Sequence, residues 1–129
     1  MASCNAMKQS QKIQIDSNEY VLLQKVAQLL RKEPGKKYPL RFFVLLTGLN
    51  RTKLDVLFQA VYGMPIKQYQ LQYRLHLAKI KLSSTYLPVK AIALECGFGN
   101  GKYFYQYFKK KTGLTPGTYR QLYRRPKKG

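Results

Sequence analysis

Residues 88–120, PVKAIALECGFGNGKYFYQYFKKKTGLTPGTYR, decide the fold. Val89, Ile92 and Ala93 recur at helical spacing, and Gly97 and Gly99 then break the pattern. It resumes at Lys102 and runs to Lys111. Within that run Tyr103, Phe104, Tyr107 and Phe108 stand at i, i+1, i+4 and i+5, a wide aromatic face, with Lys102, Gln106, Lys109 and Lys110 on the other side. Gly113 falls where a helix ends on a left-handed residue, and Thr115 followed by Pro116 caps and opens another. Two short helices joined by a tight turn, the second basic on its outer face, form a helix-turn-helix whose second helix suits a DNA major groove.

Working outward, the stretch has a partner fifty residues earlier. Sliding the chain by that amount lays Leu54 on Phe104, Phe58 on Phe108, Gly63 on Gly113 and Tyr69 on Tyr119, while Gly48 meets Gly97 one place sooner. A repeat of structural punctuation marks two copies of one supersecondary unit. In the first copy Pro39 opens a helix closed at Gly48, and Asn50 caps a second that runs to Tyr62, with Leu54, Leu57, Phe58 and Val61 inward. Pro65 opens a long helix to about Ser84, on which Ile66, Tyr69, Tyr73, Leu77, Ile80 and Leu82 are expected inward and Arg74, Lys79 and Lys81 outward. Asp16 or Ser17 caps a first helix whose apolar stripe is Tyr20, Val21, Leu22, Val26, Leu29 and Leu30, and Pro34-Gly35 end it.

The expected organisation is all-α. Residues 1–15 are polar and patternless and read as a disordered or tag-derived N-terminus, 16–64 as a first helix-turn-helix subdomain, and 65–84 as a linker helix. A second subdomain follows over 85–123, then a basic tail, 124–129. The aromatic residues Phe58, Tyr69, Tyr103, Phe104, Tyr107, Phe108 and Tyr119 are assigned to the core.

Charge points to the partner. The 129 residues carry 24 Lys and Arg against 5 Asp and Glu, a formal net charge of +19. Nine of those cations follow Glu95 and no acid does, so a polyanion is expected, engaged most by the second half. No stretch approaches the ~20 apolar residues of a membrane span. Cys4 and Cys96 have no disulfide or metal spacing, Cys96 reading as a small buried apolar residue, and a reduced cytoplasmic compartment fits. His76, the one histidine, lacks a nucleophile or carboxylate at useful spacing, and no phosphate loop or carboxylate pair appears. An enzyme, a cofactor and a metal are therefore not expected. Double-stranded DNA is the expected partner. Charge alone would also allow a general RNA-binding structural protein, but RNA modules do not need a duplicated helix-turn-helix.

The outward positions nearest the start of each second helix approach base edges. In the first copy these are Arg51, Thr52, Lys53, Asp55 and Val56. A carboxylate at Asp55 accepts from cytosine N4, and Val56 suits a thymine methyl. Arg51 and Lys53 suit guanine or phosphate. In the second copy Gly101 permits close approach, Lys102 suits guanine O6 and N7, and Gln106 suits adenine or phosphate. Asn100 is assigned to the helix cap, Tyr105 stands on an outward flank beside phosphate, and Lys109 and Lys110 with Lys111 supply phosphate contacts. Six such contacts give a slope of log K against log salt of roughly −5.

The run IALECGF…YFYQYFKKKTGLTPGTYR resembles the second helix-turn-helix of the AraC/XylS class of bacterial transcription regulators, matching at Ile92, Ala93, Gly97, Phe98, Phe104, Phe108, Lys109, Gly113, Pro116, Tyr119 and Arg120. YQLQYRLHLAKIKL resembles the linker of the same class through Tyr69, Arg74, Leu75, Ala78 and Leu82. The resemblance covers roughly residues 20–123. It implies about seven homeodomain-like helices, two readers occupying two successive major grooves, and a cytoplasmic, nucleoid-bound activator that contacts RNA polymerase. It places the base positions on Thr52, Asp55 and Val56 and on Gly101, Lys102 and Gln106. At Asp55 and Val56 the chain departs from the long polar side chains usual there, and Val44 stands where the class usually has alanine, so the first reader is expected to be the weaker. Most relatives carry a separate effector or dimerisation domain. The residues before the first copy are too few for one, so either a stand-alone regulator controlled by its abundance or, as the tag-like residues 1–15 favour, a C-terminal piece of a longer protein is expected.

Overall fold

Four of the described helices begin where the sequence supplies a side-chain cap. The computed structural model describes residues 14–124, and these form seven helices and no strand: α1 (Ser17–Lys32), α2 (Leu40–Thr47), α3 (Arg51–Tyr62), α4 (Ile66–Ser84), α5 (Val89–Glu95), α6 (Gly101–Thr112) and α7 (Pro116–Tyr123). Before α1 the Asp16 carboxylate accepts from the Glu19 N–H at 2.7 Å, and the Glu19 carboxylate accepts from the Asp16 N–H at 3.3 Å. That is a reciprocal capping box. Asn50 accepts from the Lys53 N–H, Asn100 from the Lys102 and Tyr103 N–H groups, and Thr115 from the Thr118 N–H. Gly48, Gly63 and Gly113 end α2, α3 and α6 in the left-handed region, with φ of 75°, 79° and 81°.

The repeat survives as geometry. α3 and α6 each have 12 residues, start fifty positions apart, follow an asparagine cap and end on a left-handed glycine. The basic tail beyond Arg124 and the expected N-terminal segment up to Ile13 lie outside the described residues.

Two compact units emerge. The first holds α1 up to Gln28 and the chain from Tyr38 to Ile66. Its core is Leu23, Val26, Ala27, Phe43, Leu54, Leu57 and Phe58. On α1 the buried stripe is Leu23, Val26, Ala27 and Leu30, whereas Tyr20 and Val21, expected inward, are exposed. The apolar run Tyr20–Leu23 is longer than one helix face, and packing selects its last member.

The second unit holds Leu29–Lys37 and everything from Lys67 onward, so nearly all of α4 lies within it. Leu75, Ala78, Leu82, Ile92, Ala93, Cys96, Phe98, Phe104 and Phe108 form one cluster. Phe104 and Phe108 are fully buried, worth roughly 1.5–3 kcal/mol each relative to exposure. Tyr119 packs edge-on against Phe108 at 5.3 Å between centroids.

Three expectations on these helices are corrected. Arg74, expected outward, is only 7% exposed. It donates from Nε to the Pro34 carbonyl at 2.7 Å and from a terminal nitrogen to the Lys36 carbonyl at 3.2 Å, which satisfies the buried guanidinium. Burial pushes its pKa below the ordinary value. Ile80, expected inward, is exposed, because the inward face of α4 runs through Leu71, Leu75, Ala78 and Leu82. Tyr103, expected in the core, is 44% exposed. The buried face of α6 is narrower than the aromatic set and centres on Phe104 and Phe108.

Arg120 closes the unit. It donates from Nε to the Leu82 carbonyl and from a terminal nitrogen to those of Thr85 and Leu87, meeting acceptors that the end of α4 leaves open. Arg124 donates to the Thr85 carbonyl at 2.9 Å and lies 3.5 Å over the Tyr86 ring.

Candidate nucleic-acid interface

A 12-residue helix that buries positions 4 and 8 must turn another face out. On α6 the buried residues are Phe104 and Phe108, and Gly101, Lys102, Tyr105, Gln106, Lys109 and Lys110 are all exposed. Their spacing, i, i+1, i+4, i+5, i+8 and i+9, makes one continuous strip. It holds every residue expected to read DNA in the second copy. Lys102, Lys109, Lys110 and Lys111 meet no acidic side chain within α6. Lys111 lies 5.7 Å from the Tyr107 ring centroid, a cation–π arrangement. Gly101 has nothing within 4 Å of where a Cβ would stand, so its lack of a side chain leaves the helix start open. Asn100 satisfies the Lys102 and Tyr103 N–H groups, which fixes the first turn rigidly.

On α3 the equivalent strip is Arg51, Thr52, Asp55, Val56 and Gln59. Arg51, Thr52, Val56 and Gln59 are exposed and Asp55 is half-buried. Gln59, unremarked in the sequence, is the counterpart of Lys109 at the fifty-residue offset, and that offset would have found it. Lys53 stands apart from the strip. It corresponds to Tyr103, and its Nζ lies 2.8 Å from Glu19 Oε2. The hydrogen bond and charge of Glu19 raise its pKa. Glu19 was missed because nothing local in the sequence ties α1 to the start of α3.

The turns before the two strips differ. Three residues separate α2 from α3, five separate α5 from α6, so the second turn is the longer, as the glycine spacing requires. In the first, the Gly48 N–H donates to the Val44 carbonyl. In the second, the Gly97 N–H donates to the Leu94 carbonyl and the Phe98 N–H to that of Ala93, a Schellman closure that buries Phe98 against Phe104 with 4.8 Å between centroids. Gly97, φ 91°, is pressed against the Pro34 carbonyl, with Arg74 Nε and Gly35 Cα 2.7 and 2.9 Å from where a Cβ would stand.

Among the described residues no group of three or more His, Cys, Asp or Glu side chains could hold a metal, and no helix is long and apolar enough to cross a membrane. His76 is exposed beside Tyr73 on α4, where Tyr69, Gln72, Tyr73 and His76 line a shallow open notch of about 200 Å³.

A family described as "Helix-turn-helix domain" matches residues 46–122, more than half of the chain. The chain is 32% identical over 101 residues to the HTH-type transcriptional activator RhaR of Salmonella schwarzengrund, which covers 78% of this chain and 36% of that protein. The chain spans 9 to 36% of the length of the first curated relatives it matches. Among solved structures, the C-terminal domain of the two-component response regulator yesN from Fusobacterium nucleatum superposes with a TM-score of 0.69 at 31% identity, covering 81% of this chain and 99% of that one. A Chromobacterium violaceum transcriptional regulator described as an AraC-type DNA-binding domain-containing protein superposes with a TM-score of 0.74 at 23% identity over 87% of this chain and all of that one, a likeness of fold. Sequence relatives and fold thus meet on the paired helix-turn-helix read from the repeat, and the chain belongs to the AraC/XylS family of helix-turn-helix transcription regulators as a DNA-binding domain.

Proposed function

We propose that this chain activates transcription by reading double-stranded DNA with α3 and α6, one in each of two successive major grooves of an asymmetric site. The observation that carries the reading is the matched outward strip on two equal helices set fifty residues apart. One polypeptide then presents both readers, where dimeric helix-turn-helix proteins need two subunits and a palindromic site.

The roles divide by side chain. Lys102 reads guanine and Gln106 adenine, Gly101 allows close approach, and Tyr105, Lys109 and Lys110 hold phosphate. Arg51, Thr52, Asp55 and Val56 read the first groove with little net charge. Pro39 and Pro88 cap α2 and α5 without a side-chain acceptor, leaving first-turn N–H groups for phosphate. Contact with RNA polymerase and control by an effector-binding region elsewhere in the polypeptide belong to the same reading, as does a place in the bacterial nucleoid. Catalysis does not.

Selection of bound duplexes from a random pool, followed by competition with random duplex and with RNA, tests it. Two conserved segments separated by about one helical turn, ~34 Å, are expected, with RNA competing poorly. RNA competing as well as the selected duplex would favour a general nucleic-acid-binding protein.

A further inference from the structure

Lys53 occupies the first turn of α3, beside the outward strip, yet its charge is already matched. Its ammonium lies 2.8 Å from a carboxylate oxygen of Glu19 on α1, and the Glu19 side chain is only 14% exposed. The carboxylate is held in place by the capping box, where its other oxygen accepts from the Asp16 N–H and the Asp16 carboxylate accepts from the Glu19 N–H. Glu19 is thus tied to Asp16 through both its carboxylate and its N–H, unlike an exposed partner that swings away. For Lys53 to neutralise a phosphate it would have to leave a nearly buried carboxylate behind, and an unpaired buried charge is costly. α6 has no such device: its corresponding position is Tyr103, and its lysines face no acid within the helix.

We infer that Glu19 withholds Lys53 from DNA phosphate, and so limits how tightly the first reader grips any duplex regardless of sequence. The inference rests on the DNA reading proposed above. Phosphate contacts supply affinity and salt dependence without sequence information. Subtracting one lowers binding to target and random DNA alike, which shortens dwell on random sites while leaving base reading to Arg51, Thr52, Asp55 and Val56.

The test is a double-mutant cycle with binding measured against salt on a selected and a random duplex. Glu19→Gln removes the charge and keeps an oxygen for the Asp16 N–H. It should tighten binding to both duplexes by roughly tenfold near 0.1 M salt and steepen the slope of log K against log salt by about 0.9, one released counterion. Lys53→Met alone should leave the slope unchanged, and the double variant should return to the slope of the unsubstituted chain. A slope that falls by about 0.9 in Lys53→Met alone would show Lys53 already on phosphate and overturn the inference. So would a Glu19→Gln gain that persists in the double variant, since the lost negative charge would then act through the general field. Lys53→Met keeps the capping box of α1 and decides the matter even if Glu19→Gln fails to fold. Failure of the unsubstituted chain to bind duplex at all would sink the DNA reading, and this inference with it.

Discussion

The turn entering α3 and the turn entering α6 do the same job under different constraint. Gly48 closes the first with a single hydrogen bond and open space around it, whereas Gly97 closes the second with two bonds, a buried phenylalanine and the 34–35 backbone pressed against its α-carbon. The readers that follow differ in the same sense. α3 carries an acid, a methyl-bearing Val56 and a lysine claimed by Glu19; α6 carries lysines and no acid. One scaffold has been given a lightly charged reader on a tolerant turn and a strongly charged one on a demanding turn. On the reading proposed above, sequence discrimination and backbone grip are then not shared equally between the copies.

The largest contrast should come from the two glycines. Gly97→Ala faces the left-handed penalty, about 1–2 kcal/mol, and in addition a collision with backbone atoms that adds about 1–3 kcal/mol of overpacking. Gly48→Ala faces the first cost alone, about 1–2 kcal/mol. Urea unfolding of the two variants measures both, and equal losses would abolish the distinction between the turns.

Next in size is base reading. Lys102→Ala should cost about 1–3 kcal/mol on the selected site and less on random duplex, measured by titration of each. Equal losses would demote Lys102 to a phosphate contact. Thr52→Ala, its counterpart in the first copy, should cost less on the same site.

Grip is the finer difference. Lys109→Gln with Lys110→Gln should flatten the salt slope by about 1.8, two phosphates at 0.9 each. Gln59 holds the Lys109 position in α3, so Gln59→Ala should leave that slope where it was. A slope insensitive to the paired change would return both lysines to bulk solvent.

The last effect concerns pH away from neutrality, and Cys96 places it in the second unit. Burial pushes the Cys96 thiol up from 9.0 to about 11. The folded chain keeps a proton there that the unfolded chain gives up near pH 9. The stabilisation is therefore complete below about pH 9 and is lost as pH rises toward about 11. Cys96→Ala should make the decline in unfolding free energy over that window shallower. Alkylation of the native thiol should be slow at pH 8, since the thiolate is the reactive form.

What was legible in the sequence was punctuation. Asp16, Asn50, Asn100 and Thr115 cap, and Gly48, Gly63 and Gly113 terminate, because each acts on backbone within a few residues of itself. From these the helix order and the duplication follow. The strip on α6 was legible too, since a period of 3.6 fixes which residues oppose Phe104 and Phe108. What escaped was chemistry between distant segments. Arg74 looks solvated on a helical wheel, and nothing near it announces that Pro34 and Lys36 will offer it carbonyls. Tyr103, Tyr20 and Val21 were assigned inward because apolar runs exceed the width of the face that can be buried, and only the neighbouring helix decides which members stay out. Glu19 and Lys53 belong to this class: a pair made by packing has no signature in spacing.

The equal length and shared framing of α3 and α6 carry a consequence for engineering. When two sockets accept a plug of the same size, between the same kind of stop at either end, the plugs are interchangeable parts. Grafting the outward residues of α6 onto α3 should carry its preferred bases to the other half of the operator without rebuilding either core. The chain would then recognise a directly repeated site in place of an asymmetric one.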